Sequence, residues 1–297
     1  MRAVCGIAHG TGKRLGLVPS MGALHEGHLS LVRAAKGQCD VVAVSIFVNP
    51  TQFGPNEDFA KYPRTFDQDC VLLEKEDVDL IFAPSVDEMY PPNAVTVVTV
   101  EGLSNKLCGK SRPGHFRGVT TVVSKLFHIV EPDVAFFGQK DAAQVAIIRR
   151  MVRDLNLPVQ IAVCPIVREA DGLAMSSRNS YLNPQQRKSA LVLYRSLMQV
   201  QKQFEGGEHN SAKLIATAKE VFAEEPSVRL DYFEIVDPDT LGALSDVSQP
   251  ALVAVAAFVG KTRLIDNITL RLQAYASSAR RGPRVINTRA TRTHSPR

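Results

Sequence analysis

The sequence predicts an α/β fold, a doubly wound parallel sheet followed by a smaller C-terminal α+β domain. Three observations lead to this prediction. Strand patterns alternate with helical patterns over the first 165 residues, which is the order that builds parallel sheets. Several strand patterns are almost wholly apolar, as expected of strands covered on both faces. After residue 165, two helical patterns are followed by three strand patterns, which is typical of an α+β unit.

The chain opens with a predicted βαβ unit. Residues 14–19 have an apolar strand pattern that ends in a Ser-Met-Gly turn, and residues 40–48 form a nearly continuous apolar strand. Between them, residues 25–38 carry leucine, valine and alanine at helical spacing, so we predict a helix there. A strand, a helix and a second strand in this order make the unit from which parallel sheets are assembled.

The alternation continues to about residue 165. We predict strands at 78–84, 95–100, 134–138 and 159–165, and helices at 65–76, 118–130 and 140–155. Beyond them we predict helices at 185–204 and 211–224, then strands at 228–237, 251–260 and 262–270. The predicted domains are therefore a Rossmann-like unit at 1–165, a smaller α+β unit at 166–276, and a tail at 277–297.

The charge distribution argues against a nucleic-acid partner. The chain carries 35 basic and 30 acidic side chains, a net charge of +5. Six of the arginines lie in residues 278–297, which contain no acid, so the remaining 29 basic groups face 30 acidic ones. A nucleic-acid-binding domain carries its basic face on the folded surface. We therefore expect a disordered basic tail; a protein that binds RNA or DNA through this tail is the alternative.

Composition excludes several other classes of protein. The five cysteines are scattered and none is in a CxxC pair, so we predict neither disulfides nor a zinc site. No apolar run approaches the roughly 20 residues that span a membrane, and the first residues lack a secretory signal pattern. With 45% hydrophobic and 22% charged residues, the chain has globular composition, and we expect a cytoplasmic protein without a membrane partner.

The most informative stretch is VPSMGALHEGHLSLV, at residues 18–32. His25 and His28 lie three residues apart where the predicted helix begins. Helix N-termini bind anions, because their first N–H groups are free and the helix dipole is positive there. Residues three apart share one helix face, and Gly27 between them lets a ligand approach closely. The pattern therefore favours a phosphate site.

This histidine pair has two other interpretations. A zinc protease motif has its histidines four residues apart, whereas His25 and His28 are three apart, so a zinc site is disfavoured. Two unrelated histidines, on the surface or in the core, stay open on this motif alone. The HxGH phosphate motif of nucleotidylyltransferases is the interpretation that we favour.

Residues 18–32 resemble the signature of the pantothenate synthetases, which belong to the HxGH nucleotidyltransferase superfamily. Four further segments, at 44–65, 108–127, 136–144 and 167–182, are similar to that family in its order and spacing, so the resemblance covers residues 14–275. Only residues 1–13 precede the first strand, so the strand and helix that family members carry there are expected to be shortened or missing. The arginine-rich tail has no expected counterpart.

The resemblance implies an activity in two steps. The carboxylate of pantoate attacks the α-phosphorus of ATP, which releases pyrophosphate and leaves pantoyl adenylate. The amine of β-alanine then displaces AMP. The resemblance also implies a homodimer and Mg²⁺ that arrives bound to ATP, with no metal-binding residue of the protein itself. A transferase that moves a nucleotide onto a phosphate ester is the alternative among enzymes, but it leaves the segments NPTQF and GQKDAAQ unexplained.

The resemblance further assigns residues to each substrate, with 1–165 binding nucleotide and pantoate and 166–276 acting as a lid. The expected catalytic residues are His25, His28, Lys140, Ser176, Ser177 and Arg178. The expected ATP-binding residues are Pro19, Met21, Gly22, His25, His28, Gly138, Lys140, Asp141, Val167, Met175, Ser176, Ser177 and Arg178. Pantoate is expected at Met21, Asn49, Gln52 and Gln144, and β-alanine or phosphate at Arg112 and His115.

Some of these residues also have plainer interpretations. A lone lysine is usually a solvated charge, but Lys140 follows a buried strand pattern, where open α/β sheets bind their ligands. Residues 176–178 resemble the loop that closes over phosphates in related synthetases, and a polar interdomain loop is the alternative. Asn49 precedes Pro50, so a turn-forming role stays open beside its role in binding pantoate.

Overall fold

The computed structural model describes residues 1–55 and 57–272 of the chain. Along these residues the helices and strands are, in chain order, α1 (Arg2–Gly10), β1 (Leu15–Ser20), α2 (Glu26–Lys36), β2 (Val41–Ile46), α3 (Phe66–Lys75), β3 (Leu80–Phe82), α4 (Val86–Met89), α5 (Cys108–Ser111), α6 (His115–Val130), β4 (Val134–Gly138), α7 (Ala142–Asp154), β5 (Gln160–Cys164), α8 (Pro184–Ser189), α9 (Val192–Glu205), α10 (Ser211–Ala223), β6 (Val228–Val236), β7 (Ala251–Val259) and β8 (Thr262–Leu270). Short 3₁₀ helices lie at Pro50–Gln52, Leu103–Asn105, Gln139–Asp141 and Ser177–Tyr181.

The first five strands form one parallel sheet in the order β3-β2-β1-β4-β5. β2 and β3 therefore lie on one side of β1, and β4 and β5 lie on the other side. Such a sheet leaves a crevice at the carboxyl ends of the two central strands, because the connecting helices leave on opposite faces. The predicted doubly wound sheet is confirmed, and its crevice lies beyond Ser20 and Gly138.

The alternation of side chains along β1 divides the core into two layers. Leu15 and Leu17 point to the face covered by α6 and α7. Val18 points to the opposite face, where it joins Leu29 and Val32 of α2. Because both faces are covered, the strands are almost wholly apolar, which is the pattern that the sequence shows. The sheet is thus held rigidly beneath the crevice.

The prediction of a strand at residues 95–100 is wrong. These residues join no ladder within the described chain and lie against α6 instead. The backbone N–H of Val98 donates to Thr121 Oγ1 at 3.0 Å, and Thr120 Oγ1 donates to the Val98 carbonyl at 2.6 Å. The β-branched sequence VTVVTV favours extended backbone, but a strand also needs a partner strand, which the described chain does not supply.

The second sheet is antiparallel, in the order β6-β7-β8, and packs on α9 and α10. This confirms the smaller α+β unit. The helix predicted at 185–204 is instead two helices, α8 and α9, with a break at residues 190–191. The boundaries at residues 165 and 276 stay predictions, and residues 273–297, with the predicted tail, lie outside the described residues.

The N-terminal residues fold into a helix. In α1, Cys5 and Ala8 are buried, and Cys5 joins the layer of the core beneath α6. The helix of the expected N-terminal element is therefore present among the described residues, and it is the first element there. Among the described residues, no helix combines the length and the hydropathy needed to cross a membrane.

Candidate active site

Two cavities open at the crevice of the parallel sheet. The smaller, of about 230 Å³, lies over the ends of β1 and β4. The larger, of about 1110 Å³, continues from it toward β8 of the second sheet, and both are lined by Lys140, Asp141 and Gln144. Binding sites for drug-sized ligands have roughly 300–1,000 Å³. The small cavity therefore suits a small acid and the large one a nucleotide.

His25 and His28 form a pair at the start of α2, with ring centroids 4.1 Å apart. His25 is the N-cap residue, and its Nδ1 accepts the backbone N–H of Gly27 at 3.1 Å. The Nδ1 of His28 accepts the backbone N–H of His25 at 3.3 Å. A nitrogen that accepts from a backbone N–H carries no proton. In each neutral ring the proton is therefore on Nε2, and both rings line the small cavity.

The surroundings of the pair keep both rings neutral. Burial lowers the pKa of His25 to about 4, with a further contribution from the charge of Lys140. Burial lowers the pKa of His28 to about 3, helped by His25 and by Lys140. A charged ring is disfavoured in a desolvated place beside a cation. At neutral pH the pair thus offers two uncharged N–H donors.

Asp69 of α3 holds the turn that leads into the pair. Its buried carboxylate accepts the backbone N–H groups of Ala23 at 3.0 Å and Leu24 at 2.8 Å. Ala23 has a φ of 50° and Gly22 a φ of 81°, a region that favours glycine. A Cβ at Gly22 would lie 2.9 Å from the Asp69 carboxylate. Gly22 is therefore required by the turn, and nothing in the sequence pattern pointed to Asp69.

Lys140 lies in the 3₁₀ turn Gln139–Asp141, directly after β4. Lys140 lines the same small cavity as His25 and His28, and after burial its positive charge also contributes to the lowered pKa values of both rings. Among the described residues, Lys140 makes no ion pair within 4.0 Å. A cation without a carboxylate partner in a partly buried crevice is suited to bind an anion.

On the other wall of the small cavity, Gln52 is held by its neighbours. Its Nε2 donates to Met21 Sδ at 2.9 Å, and its Oε1 accepts from Asn49 Nδ2 at 3.1 Å. Asn49 is buried and also donates to the Gly118 carbonyl at 3.1 Å, while its Oδ1 accepts from Tyr90 at 2.8 Å. The side chain of Asn49 thus has protein partners on both of its polar atoms, and in this state it positions Gln52.

The segment 176–178 reaches the pair from the far side of the crevice. Ser177 Oγ donates to the Ala23 carbonyl at 3.1 Å, which joins this segment to the turn before His25. Arg178 donates to both carboxylate oxygens of Asp58, each at 2.9 Å, and lies over the ring of Tyr62. The guanidinium is therefore paired in this state, and a phosphate would have to replace Asp58.

Arg112 and His115 are paired in a similar way. Arg112 binds both oxygens of Glu57, at 2.7 and 2.5 Å, and its Nη1 donates to His115 Nε2 at 3.1 Å. The Nδ1 of His115 lies 2.8 Å from the Gln52 carbonyl and must donate to it. Burial, and then the charge of Arg112, lower the pKa of His115 to about 4. His115 is thus neutral and braces the backbone of Gln52.

The structure brings the predicted site residues together. Every one of them except Gly22 lines the small cavity, namely Pro19, Met21, His25, His28, Asn49, Gln52, Arg112, His115, Gly138, Lys140, Asp141, Gln144, Val167, Met175, Ser176, Ser177 and Arg178. Gly22 is buried just behind them. The residues missed by sequence reasoning are those that hold others, which are Glu57, Asp58, Tyr62, Asp69 and Asn267.

The arrangement concentrates hydrogen-bond donors and positive charge on one crevice. It is built to bind an anion with distributed charge, such as a phosphate chain, next to a small polar pocket. Among the described residues, no group of three or more His, Cys, Asp or Glu side chains is placed to hold a metal ion. The donors gathered in the crevice, the two imidazoles and the Lys140 ammonium group, are of the kind that bind phosphate groups.

Comparison with known proteins gives a consistent result. The Pantoate-beta-alanine ligase family profile matches residues 1–269. A pantothenate synthetase of Koribacter versatilis (strain Ellin345) is 60% identical over 284 residues, 96% of this chain and 96% of that protein. The crystal structure of pantothenate synthetase from Thermus thermophilus matches with a TM-score of 0.84 and 49% identity, over 86% of this chain and 92% of that chain.

A second crystal structure carries ligands. Pantoate-beta-alanine ligase from Francisella tularensis, complexed with beta-gamma ATP and beta-alanine, matches with a TM-score of 0.73 and 36% identity, over 89% of this chain and 93% of that chain. The family profile starts at residue 1, so α1 lies within the match. Because the profile and these relatives match most of the described residues, the chain belongs to the pantoate-β-alanine ligase family.

Proposed function

We propose that this protein condenses pantoate with β-alanine at the expense of ATP, giving pantothenate, AMP and pyrophosphate through pantoyl adenylate. Membership of the family supports the overall reaction. The observation that supports the proposed site is the neutral histidine pair, whose two rings line one cavity together with Lys140. The structure of the relative from Francisella tularensis is a complex with beta-gamma ATP and beta-alanine, which supports ATP and β-alanine as ligands here.

In the first step, a pantoate carboxylate oxygen forms a bond to the α-phosphorus of ATP while the bond to pyrophosphate breaks. Negative charge grows on the phosphoryl oxygens and on the leaving group as this happens. Donors fixed before the reaction lower the barrier, because they need no rearrangement. We assign His25, His28 and Lys140 to these oxygens, with Ser176, Ser177 and Arg178 closing on the phosphates from the other side.

Pantoate occupies the small cavity in this proposal. Gln52 and Gln144 line that cavity, and amide side chains suit hydroxyl and carboxylate groups because each offers a donor and an acceptor. Asn49 acts by holding Gln52 in place. Met21 supplies an apolar surface for the two methyl groups. The nucleotide then extends into the large cavity, past Asp141.

In the second step, the β-alanine amine bonds to the acyl carbon of the adenylate and the bond to the AMP oxygen breaks. The nitrogen attacks as the free amine and passes one proton to solvent water as the amide forms. We place the β-alanine carboxylate near Arg112, which lines both cavities. Glu57 now binds that guanidinium, so the substrate carboxylate would compete with a protein carboxylate of the same kind.

Mg²⁺ enters this proposal as part of the ATP substrate. Mg²⁺ usually keeps several waters and is held by one or two carboxylates and by substrate phosphates. Asp141 lines both cavities and follows Lys140 directly in the sequence, so it is the carboxylate that we place beside the Mg²⁺-bound phosphates.

We also propose that residues 166–276 act as a lid, because Ser177 and Arg178 already reach across to Ala23 and Asp58.

We further propose a homodimer in the cytoplasm, with residues 95–97 in the dimer interface. Val95 is 89% exposed and Val97 is 55% exposed. Because the N–H and C=O of Val98 both bond to α6, those of the adjacent residues in an extended chain point away from α6. An exposed β-branched segment with unpaired backbone is a template for pairing. Antiparallel pairing with its own copy across a two-fold axis satisfies both partners.

The test of the reaction is product analysis. With ATP, Mg²⁺, pantoate and β-alanine, we expect equal amounts of AMP and pantothenate. Without β-alanine, we expect exchange of labelled pyrophosphate into ATP that depends on pantoate. Exchange without pantoate, or transfer of AMP to a phosphate ester, would support a nucleotidyltransferase instead.

The test of the site is substitution. We expect Lys140→Ala and His25→Ala to slow the pantoate-dependent exchange on the order of 100-fold or more, because each removes a donor to the reacting phosphate. Lys202→Ala, at an exposed lysine of α9, is the matched control and should leave the rate unchanged. Near-normal exchange in both site variants would refute these assignments, even if the wild type makes pantothenate.

A further inference from the structure

The turn that carries Lys140 is held by a residue of the other sheet. Asn267 of β8 is buried, and its Nδ2 donates to the carbonyls of Gln139 at 3.0 Å and Lys140 at 2.9 Å. Its Oδ1 accepts from Gln139 Nε2 at 3.2 Å. Both donors and the acceptor of this amide are thus used on one short turn.

No other side chain within the described residues hydrogen-bonds to this turn. The turn Gln139–Asp141 has no side-chain cap of its own, and Lys140 Nζ has no ion-pair partner among the described residues. The backbone under Lys140 is therefore fixed from outside, by Asn267. A buried amide that makes three hydrogen bonds fixes its partners closely, because each broken bond would leave a buried group unsatisfied.

The residue next to Asn267 holds the opposite side of the crevice. Asp266 is buried and accepts both Arg168 Nη1 at 2.6 Å and Arg168 Nη2 at 3.0 Å. Arg168 also donates to the Gly172 carbonyl at 3.0 Å and pairs with Ala174 in an isolated bridge. Residues 168–174 lead directly into the segment 176–178. Adjacent residues of one strand thus hold both walls of the proposed phosphate site.

We infer that Asn267 is a positioning residue for Lys140, and that Asp266 and Asn267 together set the distance between Lys140 and the segment 176–178. This inference rests on the proposed function, in which both groups act on the phosphates. A displacement of about 1 Å in a group that acts on the transition state costs on the order of 100-fold in rate. Loss of Asn267 should therefore lower kcat, while pantoate binding at Gln52 and Gln144 is little affected.

The experiment is a double-mutant cycle with pantoate-dependent pyrophosphate exchange as the readout. We expect Asn267→Ala to lower kcat roughly 10- to 100-fold, with KM for pantoate changed less than about twofold. Thr269→Ala, at an exposed residue of the same strand, is the matched control and should behave as wild type. In the Lys140→Ala background, adding Asn267→Ala should change the rate less than about twofold, since residues that act as a unit are not additive.

A purely structural role gives a different result. Asn267→Ala would then slow the Lys140→Ala enzyme by the same factor as the wild type, and that outcome overturns the inference, as does a kcat within twofold of wild type. If the alanine variant does not fold by circular dichroism, Asn267→Ser, which restores one donor, takes its place in the cycle. An inactive wild type would refute the proposed function and this inference together, whereas an active wild type with an insensitive Asn267 refutes only the inference.

Discussion

A histidine can donate a hydrogen bond to a phosphate oxygen either as a charged ring or as a neutral one. In His25 and His28, the backbone decides between these forms. Each Nδ1 accepts a backbone N–H, so each neutral ring keeps its proton on Nε2. The pair therefore needs no protonation to act as a donor. The positive charge in the site comes instead from Lys140 and from Arg112 and Arg178, and in this state each arginine is paired with a carboxylate.

This neutrality predicts the pH dependence of the first step. The pKa values of about 4 for His25 and about 3 for His28 lie below the ordinary value of about 6.5. Neither ring then gains a proton as the pH falls from 7.5 to 5.5. We expect the ratio of kcat for wild type to kcat for His25→Gln to stay constant over this range. Ionisation of the substrates affects both enzymes equally and therefore cancels in the ratio. A change in this ratio with a midpoint near pH 6.5 would show a charged donor.

Sequence reasoning found the residues that line the small cavity but not those that hold them in place. His25, His28 and Lys140 stand out because their motif places unusual chemistry at a strand end. Asp69 contacts residues 45 and 46 positions earlier in the chain, and Asn267 contacts a residue 127 positions earlier. Their importance arises from tertiary contacts, and an aspartate in a helix or an asparagine in a strand gives no local signal of it.

At the scale of elements, the proposed pantoate pocket depends on how closely α6 approaches the 3₁₀ helix Pro50–Gln52. Gly118 of α6 makes this approach possible, because a Cβ there would lie 2.3 Å from the Thr51 carbonyl oxygen. The carbonyl of Gly118 also accepts from Asn49, which holds Gln52. The close packing of α6 against Pro50–Gln52 therefore depends on the absence of a side chain at Gly118.

We expect Gly118→Ala to destabilise the fold by about 1–3 kcal/mol, the usual cost of overpacking, and to raise KM for pantoate more than KM for ATP. Urea unfolding and steady-state kinetics measure the two effects. Gly6→Ala in α1 is the control, because no atom lies within 4 Å of the new Cβ and alanine favours a helix by about 1 kcal/mol over glycine. Equal stability of Gly118→Ala and wild type would contradict the close approach.

Element prediction succeeded where the signal is local and failed where it depends on a partner. The strand at Val134–Gly138 was predicted to the residue, because its apolar run is bounded by polar residues. Residues 95–100 have equally strong β-branched character, yet they form no strand with any described part of the chain. Strand propensity measures fit to a pleated surface, and the sequence alone does not say whether that surface is present.

For the whole molecule, the proposed dimer makes a direct prediction. Val97→Lys places a charge on the exposed segment at residues 95–97, a change that blocks pairing of edge strands. We expect this variant to sediment as a monomer at concentrations where the wild type sediments as a dimer. Val71→Lys is the matched control, since Val71 lies on α3 and is 50% exposed, against 55% for Val97. A dimeric Val97→Lys would place the interface elsewhere, and a monomeric wild type would refute the dimer.

The overall architecture was predictable because it follows from periodicity and order. Alternating strands and helices specify a parallel sheet, and the order β3-β2-β1-β4-β5 places the ends of β1 and β4 side by side. What the pattern does not contain is the contact between the two sheets. The bonds from Asn267 to the turn after β4, and from Ser177 to Ala23, join parts of the chain whose local sequences are unrelated.

The hydrogen bonds between Asn267 and the turn at Lys140 have a consequence for co-translational folding of the nascent polypeptide. Ribosomes make proteins from the N-terminus, and early segments begin to fold while later ones are still unmade. A nascent chain that has emerged only as far as β7 already possesses its histidine pair and its lysine, but not the amide that fixes the lysine's backbone. Translation of β8, the last strand among the described residues, therefore supplies the bonds that fix the turn under Lys140.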